Sequence, residues 1–209
     1  MPGRSVELPS KLCPLTLGID VAIGRLDFCL LASQPWRLLL PHARAASAGE
    51  LLHAIAPFTH PHGLVAGVDA PLTLPSSGVW RQCDRELIRR GIPCYPPLAK
   101  TFAPVARFAM GVVEELRTAG VECVEVYPYA ARVLLQLAPS ARKATADGRA
   151  AIRCALQRYV RLQGLPEVAS HHALDAIIAG LTAGMYVAGR FQRVEGPDGA
   201  IVLPLPPVP

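Results

Sequence analysis

The chain has 209 residues, of which 51% are apolar and 18% charged, and 21 basic against 16 acidic side chains give a net charge of +5. So apolar a chain can offset its ordering entropy by burial, which excludes disorder as its main state. A chain of this size buries roughly 70–75% of the surface its unfolded form exposes. The mild basic excess permits an anionic partner without demanding one. No membrane span is expected, because the longest apolar stretch, Ala173 to Ala188, is broken by Asp175 and falls short of the roughly 20 residues a bilayer needs. The N-terminus shows no signal-peptide pattern. Cys13, Cys29, Cys83, Cys94, Cys123 and Cys154 form no C-x-x-C pair, so they read as buried thiols of a cytoplasmic protein and not as a zinc site or a disulfide framework.

In chain order, residues 1–14 read as a loose leader. Leu15 to Val21 and Leu26 to Ala32 are strand candidates joined by a hairpin turn at Gly24, and Trp36 to Leu40 is a third. Helical spacing covers Ala48 to Phe58, and a short apolar strand runs from Leu64 to Val68, ending at Asp69. A helix over Val79 to Arg90 stops at Gly91-Ile92-Pro93, followed by a loop over Lys100 to Arg107 and a helix over Phe108 to Ala119. Val121 to Tyr127 is a strand, Ala130 to Leu137 a short helix and Ala138 to Thr145 a polar loop. Ala146 to Gln163 is an amphipathic helix, and Ser170 caps a last long helix reaching about Ala188. A final strand at Ile201 to Leu203 precedes the Pro-rich tail, residues 205–209. The pattern predicts one α/β domain over residues 15–204, built on a mixed sheet.

The informative residues are acids in apolar surroundings. Asp20 sits in Leu17-Gly18-Ile19-Asp20-Val21, Asp69 ends the strand Val65-Ala66-Gly67-Val68, and Asp175 lies in a helix apolar nearly all round. Glu125 falls on a strand face shared with Val121, Cys123 and Tyr127. A buried carboxylate is normally paired, hydrogen-bonded or bound to a metal. Four such acids predict a shared divalent-cation site, and hard oxygen ligands suit Mg²⁺ or Mn²⁺. His171 and His172 lie four and three residues before Asp175, where a histidine can ligate metal, relay protons or orient the acid. Arg81, Arg85 and Arg89 recur every four residues, as do Arg149 and Arg153; such stripes either track a phosphate backbone or form a solvated face. Lys143, in a loop beside small residues, can reach a phosphate. Arg85, Lys143, Arg149 and His172 are the candidates for substrate contacts. Phosphate-loop, dinucleotide and serine-elbow fingerprints are absent.

These pieces resemble a known pattern. Gly18-Ile19-Asp20-Val21-Ala22 before a hairpin resembles the opening of the ribonuclease H-like superfamily. Val68-Asp69-Ala70-Pro71-Leu72, Arg81-Gln82-Cys83-Asp84-Arg85-Glu86-Leu87, Val124-Glu125-Val126-Tyr127-Pro128, Lys143 with Gly148-Arg149, Leu174-Asp175-Ala176 and Gly199-Ala200-Ile201-Val202-Leu203-Pro204 follow in order. Together they are similar to the predicted nuclease family known as domain of unknown function 429. The resemblance implies a ribonuclease H-like α/β fold, with a central mixed sheet that opens on three antiparallel strands and helices on both sides. It also implies one or two Mg²⁺ or Mn²⁺ ions held by Asp20, Asp69 or Glu125, and Asp175. Lys143 and Arg149 would then offset charge on the phosphate, Lys143 as part of the catalytic set. Asp84 and Glu86 would lie near the site mouth or pair with neighbouring arginines. The expected activity is hydrolysis of phosphodiester bonds in nucleic acid, DNA or RNA, by a protein able to form a homodimer. The same topology also hosts actin-like phosphotransferases and ATPases, which is the alternative activity. A non-catalytic nucleic-acid-binding protein is the third.

Overall fold

The computed structural model describes residues 14–33 and 35–206; Cys13, nearly all of the expected leader and residues 207–209 lie outside them. Three antiparallel strands open the fold, β1 (Leu15–Ala22), β2 (Arg25–Ala32) and β3 (Arg37–Ala45), with Gly24 turning the first hairpin at φ 66°. Helix α1 (Ala48–Ile55) follows, and strand β4 (Val65–Asp69) then adds parallel to β1. After α2 (Gln82–Arg89) and α3 (Ala103–Thr118), strand β5 (Glu122–Glu125) adds parallel to β4. The sheet order is therefore β3-β2-β1-β4-β5. The chain closes with α4 (Pro128–Leu134), α5 (Ala146–Leu156), α6 (His171–Val187) and the hairpin β6 (Phe191–Gly196) and β7 (Gly199–Pro204). Among the described residues no helix is long and apolar enough to cross a membrane.

The two faces of the sheet bury different helices. Leu17, Ile19, Phe28, Ala66, Val68 and Cys123 form one core with residues of α1 and α3. The opposite face carries α6, in which every residue from Ala173 to Met185 is buried, as its all-round apolar sequence requires. This helix approaches unusually closely. A Cβ at Gly18 would fall 1.9 Å from the Ala176 carbonyl oxygen, and one at Gly67 would fall 2.3 Å from that of Ala179. Both obstacles are backbone and cannot swing aside, so glycine is required at each position. Thr16 Oγ1 donates to the Gly180 carbonyl, fixing the register. The helix runs antiparallel to β1, so its N-terminal end lies over the C-terminal ends of β1 and β4.

Several elements differ from the sequence expectation for local reasons. Helix α3 takes up Ala103 to Arg107, expected as loop, because Pro104 sits in its first turn where no N–H is needed. Likewise Pro128 starts α4 instead of merely ending a strand. Helix α5 stops at Leu156, not Gln163. The chain beyond it pairs with the exposed edge of β3, where Leu38 N–H donates to the Arg161 carbonyl and Arg161 N–H to that of Trp36. Strand β6 was not anticipated; Pro197-Asp198-Gly199 is its turn signal. Of the described cysteines, Cys29, Cys83 and Cys123 are buried as expected, whereas Cys154 is exposed on α5.

Candidate metal centre

Asp20 and Asp69 end adjacent parallel strands and are direct neighbours in the register. Each is two residues beyond the glycine that α6 covers, so strand alternation points both carboxylates to the α6 side. Asp175 comes down from the first turns of that helix. One carboxylate oxygen from each of Asp20, Asp69 and Asp175 lies within 4.8 Å of the others. Three anions so close in a largely buried place strain their ionisation. Burial, then Asp20 and Asp175, hold Asp69 well above the ordinary carboxylate range. Burial and Asp175 raise Asp20, partly offset by His172 and Lys143.

Lys143 Nζ bonds Asp175 Oδ2 at 2.5 Å. Burial opposes its charge, but Asp175, Asp69 and Asp20 outweigh burial and raise its pKa. Its side chain is 49% exposed, so this cation can leave the acids without disturbing a packed core. The expected Arg149 contact takes another form. Arg149 donates to the carbonyls of Ala169, Lys143 and Ala144, and so ties the Lys143 loop to the approach to α6. Through Nε and Nη1 it positions Lys143. Gly148 serves the same loop, since a Cβ there would lie 2.0 Å from the Arg142 carbonyl oxygen.

His172 orients Asp20, not Asp175. Its Nδ1 lies 2.6 Å from Asp20 Oδ2, and Arg25 Nη2 lies 2.7 Å from its Nε2. Arginine can only donate, so Nε2 accepts and Nδ1 carries the proton toward Asp20. His171 lies against His172, with ring centroids 3.9 Å apart and the rings inclined by 37°. Behind this pair lies Asp27, a residue the sequence reading passed over. It is 1% exposed and meets Arg25 at 2.8 Å, His42 at 2.7 Å and Arg44 at 2.9 Å. Burial alone would raise its pKa; the bonds to Arg44 and His42 and the charge of Arg25 bring it below the ordinary value. Asp20, Asp27 and His172 also present ligand atoms within 4.8 Å of one another, but Asp27 is already paired with Arg25 and Arg44.

A family model described as "Protein of unknown function (DUF429)" matches residues 18–199. The chain belongs to this family. No curated protein matches the DUF429 chain. Among solved structures it is similar to Thermus thermophilus RuvC in complex with a Holliday junction substrate, at 15% identity and TM-score 0.53, covering 90% of this chain and 99% of that one. A second Thermus thermophilus RuvC structure aligns at 16% identity and TM-score 0.51, covering 84% and 96%. This DUF429 chain therefore has the ribonuclease H-like fold.

Glu125 does not join the three aspartates. It pairs in register with Val68, one residue short of Asp69, so alternation sends it to the other face. There both its oxygens accept from Arg81, Oε2 from Nη1 at 2.7 Å and Oε1 from Nη2 at 2.6 Å, and Leu72 N–H donates to Oε2. Arg81 also donates to Asp84 through Nε and Nη2, and to Thr73 through Nη1. The arginine stripe on α2 is thus no continuous solvated face. Arg81 is buried at its N-terminus, Arg89 pairs with Glu86, and Arg85 is exposed between them. The pairing was legible as an option for Asp84, but Glu125 carried no signal of a partner 44 residues away.

Proposed function

We propose that this chain is a metal-dependent nuclease that hydrolyses phosphodiester bonds of nucleic acid, with Mg²⁺ or Mn²⁺ held by Asp20, Asp69 and Asp175. The observation that carries the reading is the convergence of these three carboxylates within 4.8 Å at the ends of two parallel strands and a helix. The residues fit such an ion: the donors are hard oxygens, their accumulated charge is under-compensated, and a lysine ammonium already stands among them. A divalent ion there supplies an acidified water and neutralises charge on the phosphodiester. The protein's own groups prepare the site around it. His172, held by Arg25, keeps Asp20 in one orientation, as partners of metal-binding groups do. Lys143 offers a cation able to turn from Asp175 to a substrate phosphate oxygen. Arg149 keeps the Lys143 loop in place.

A panel of DNA and RNA substrates incubated with Mg²⁺ or Mn²⁺ tests this. Cleavage is expected with at least one substrate. Asp20→Asn and Asp175→Asn should each lower it by more than about 100-fold, beyond the roughly 10–100-fold that follows loss of a mere supporting partner. Metal-dependent cleavage that survives both substitutions, or no cleavage by the wild type on any substrate, contradicts the proposal.

A further inference from the structure

Beside the carboxylates, on the β5 side, a shallow cleft open to solvent reaches from Asp69 and Pro71 to Tyr95, Phe102, Tyr127 and Ile201. Its mouth is aromatic. Tyr95 is 75% exposed, and its ring lies 6.2 Å from that of Phe102 at 44°, too inclined for the two to stack on each other. A ring face is therefore free for a flat ligand. Tyr127 is fixed deeper in, its hydroxyl donating to the Pro93 carbonyl.

The polar floor has little left to offer. All five N–H groups of Arg81 are committed to Asp84, Glu125 and Thr73, and Cys94 Sγ donates to the Asp84 carbonyl. Neither Arg81 nor Cys94 thus has a donor free for a ligand here, while the ring of Tyr95 stands exposed to take a flat one. Because Asp69 belongs both to the carboxylate cluster and to this cleft, a group that fills the cleft lies beside one bound at the cluster.

Resting on the nuclease reading, we propose that the cleft receives an unstacked nucleobase adjoining the phosphodiester at Asp69, so that the substrate is single-stranded or locally unpaired nucleic acid. Recognition by stacking tolerates any base, since every base has a π-face. A paired, stacked base in a regular duplex cannot enter without being extruded.

The experiment measures binding of a short fluorescein-labelled single-stranded DNA, its abasic counterpart and the matching duplex, in Ca²⁺, by fluorescence anisotropy. The wild type should prefer the intact single strand over both others. Tyr95→Ala should weaken binding of the intact strand by roughly 5- to 150-fold, the range for loss of one base–aromatic stack, and leave the abasic strand unchanged. Tyr95→Phe, which keeps the ring, should restore binding. Equal loss on intact and abasic strands, or no loss, overturns the cleft assignment. Cleavage of the same strands with Mn²⁺ separates the two readings. Base-dependent binding without cleavage of these strands keeps the cleft and leaves the nuclease to be decided by the panel of DNA and RNA substrates; cleavage indifferent to Tyr95 keeps the nuclease and sinks the cleft. A wild type that binds none of the strands overturns the cleft assignment.

Discussion

Asp69→Asn is expected to make the metal-free protein more stable while removing its response to metal. Burial, Asp20 and Asp175 raise the Asp69 pKa in the folded state well above the value of 3.8 it has when free. The sign follows from linkage. A carboxyl whose folded pKa is raised favours folding when protonated, and that contribution is present at acid pH and lost as pH rises through the raised value. Asparagine keeps the neutral state at every pH. The variant should therefore match the wild type in acid and exceed it increasingly toward neutral and alkaline pH. A gain of about 2–4 °C in melting temperature corresponds to roughly 1 kcal/mol in a domain of this size. Added Mn²⁺ should stabilise the wild type by mass action and leave the variant unmoved. Thermal melts across pH, with and without Mn²⁺, check both halves. A variant less stable than the wild type at alkaline pH would mean that Asp69 is structurally satisfied and not held in reserve for an ion.

Arg81→Met carries the larger cost to the fold. The guanidinium is 1% exposed and balances two carboxylates, Glu125 and Asp84, that are 6% and 3% exposed. Hydrogen bonds to these two acids outweigh the burial that opposes its charge and raise its pKa. Removing it strands two buried anions, and breaking a buried pair in this way costs about 3–5 kcal/mol. The expected fall in melting temperature is roughly 6–20 °C. The triple replacement Arg81→Met, Glu125→Gln, Asp84→Asn should recover much of that loss, because the isolated charges go with the partner that balanced them. Urea unfolding of both variants measures it. A loss below about 1 kcal/mol for Arg81→Met would show that water reaches the acids and that the trio is not a buried network. The network also ties the chain after β4 to the closing hairpin. Thr73 donates to the Asp198 carbonyl, and Asp198 accepts from the Gln82 N–H, so its loss should loosen the segment that follows Asp69.

The rule that singled out Asp20, Asp69 and Asp175, which the structure brings together, also singled out Glu125, which it does not. A carboxylate in an apolar segment needs compensation; Asp20 meets His172 and Asp175 meets Lys143, yet the three aspartates still converge within 4.8 Å of one another. Glu125 meets the same rule through Arg81, and no local spacing reveals which answer applies when the partner is distant in sequence. Alternation did hold the clue, since it placed Glu125 on the face of Cys123, which packs in the core opposite α6. Asp27, flanked by Leu26 and Phe28, shows the acid-in-apolar signal as clearly as Asp20 and was overlooked. Lys143 was readable from its loop, and the structure brings it to Asp175. Arg149 was readable as a cation but not as a carbonyl clamp, because that use depends on how the 142–148 loop folds back. The close seat of α6 depends on glycines. Gly18, Gly67 and Gly180 sit where backbones meet, a pattern visible in the sequence only once the helix and strands are known to touch.

The shared cation site is tested most directly by calorimetric titration of Mn²⁺ into the wild type and into Asp20→Asn, Asp69→Asn and Asp175→Asn separately. Saturable binding is expected in the wild type, weakened at least about 10-fold by each single substitution, because the three carboxylates act on one ion. Any one of these variants that binds Mn²⁺ as tightly as the wild type would contradict the site.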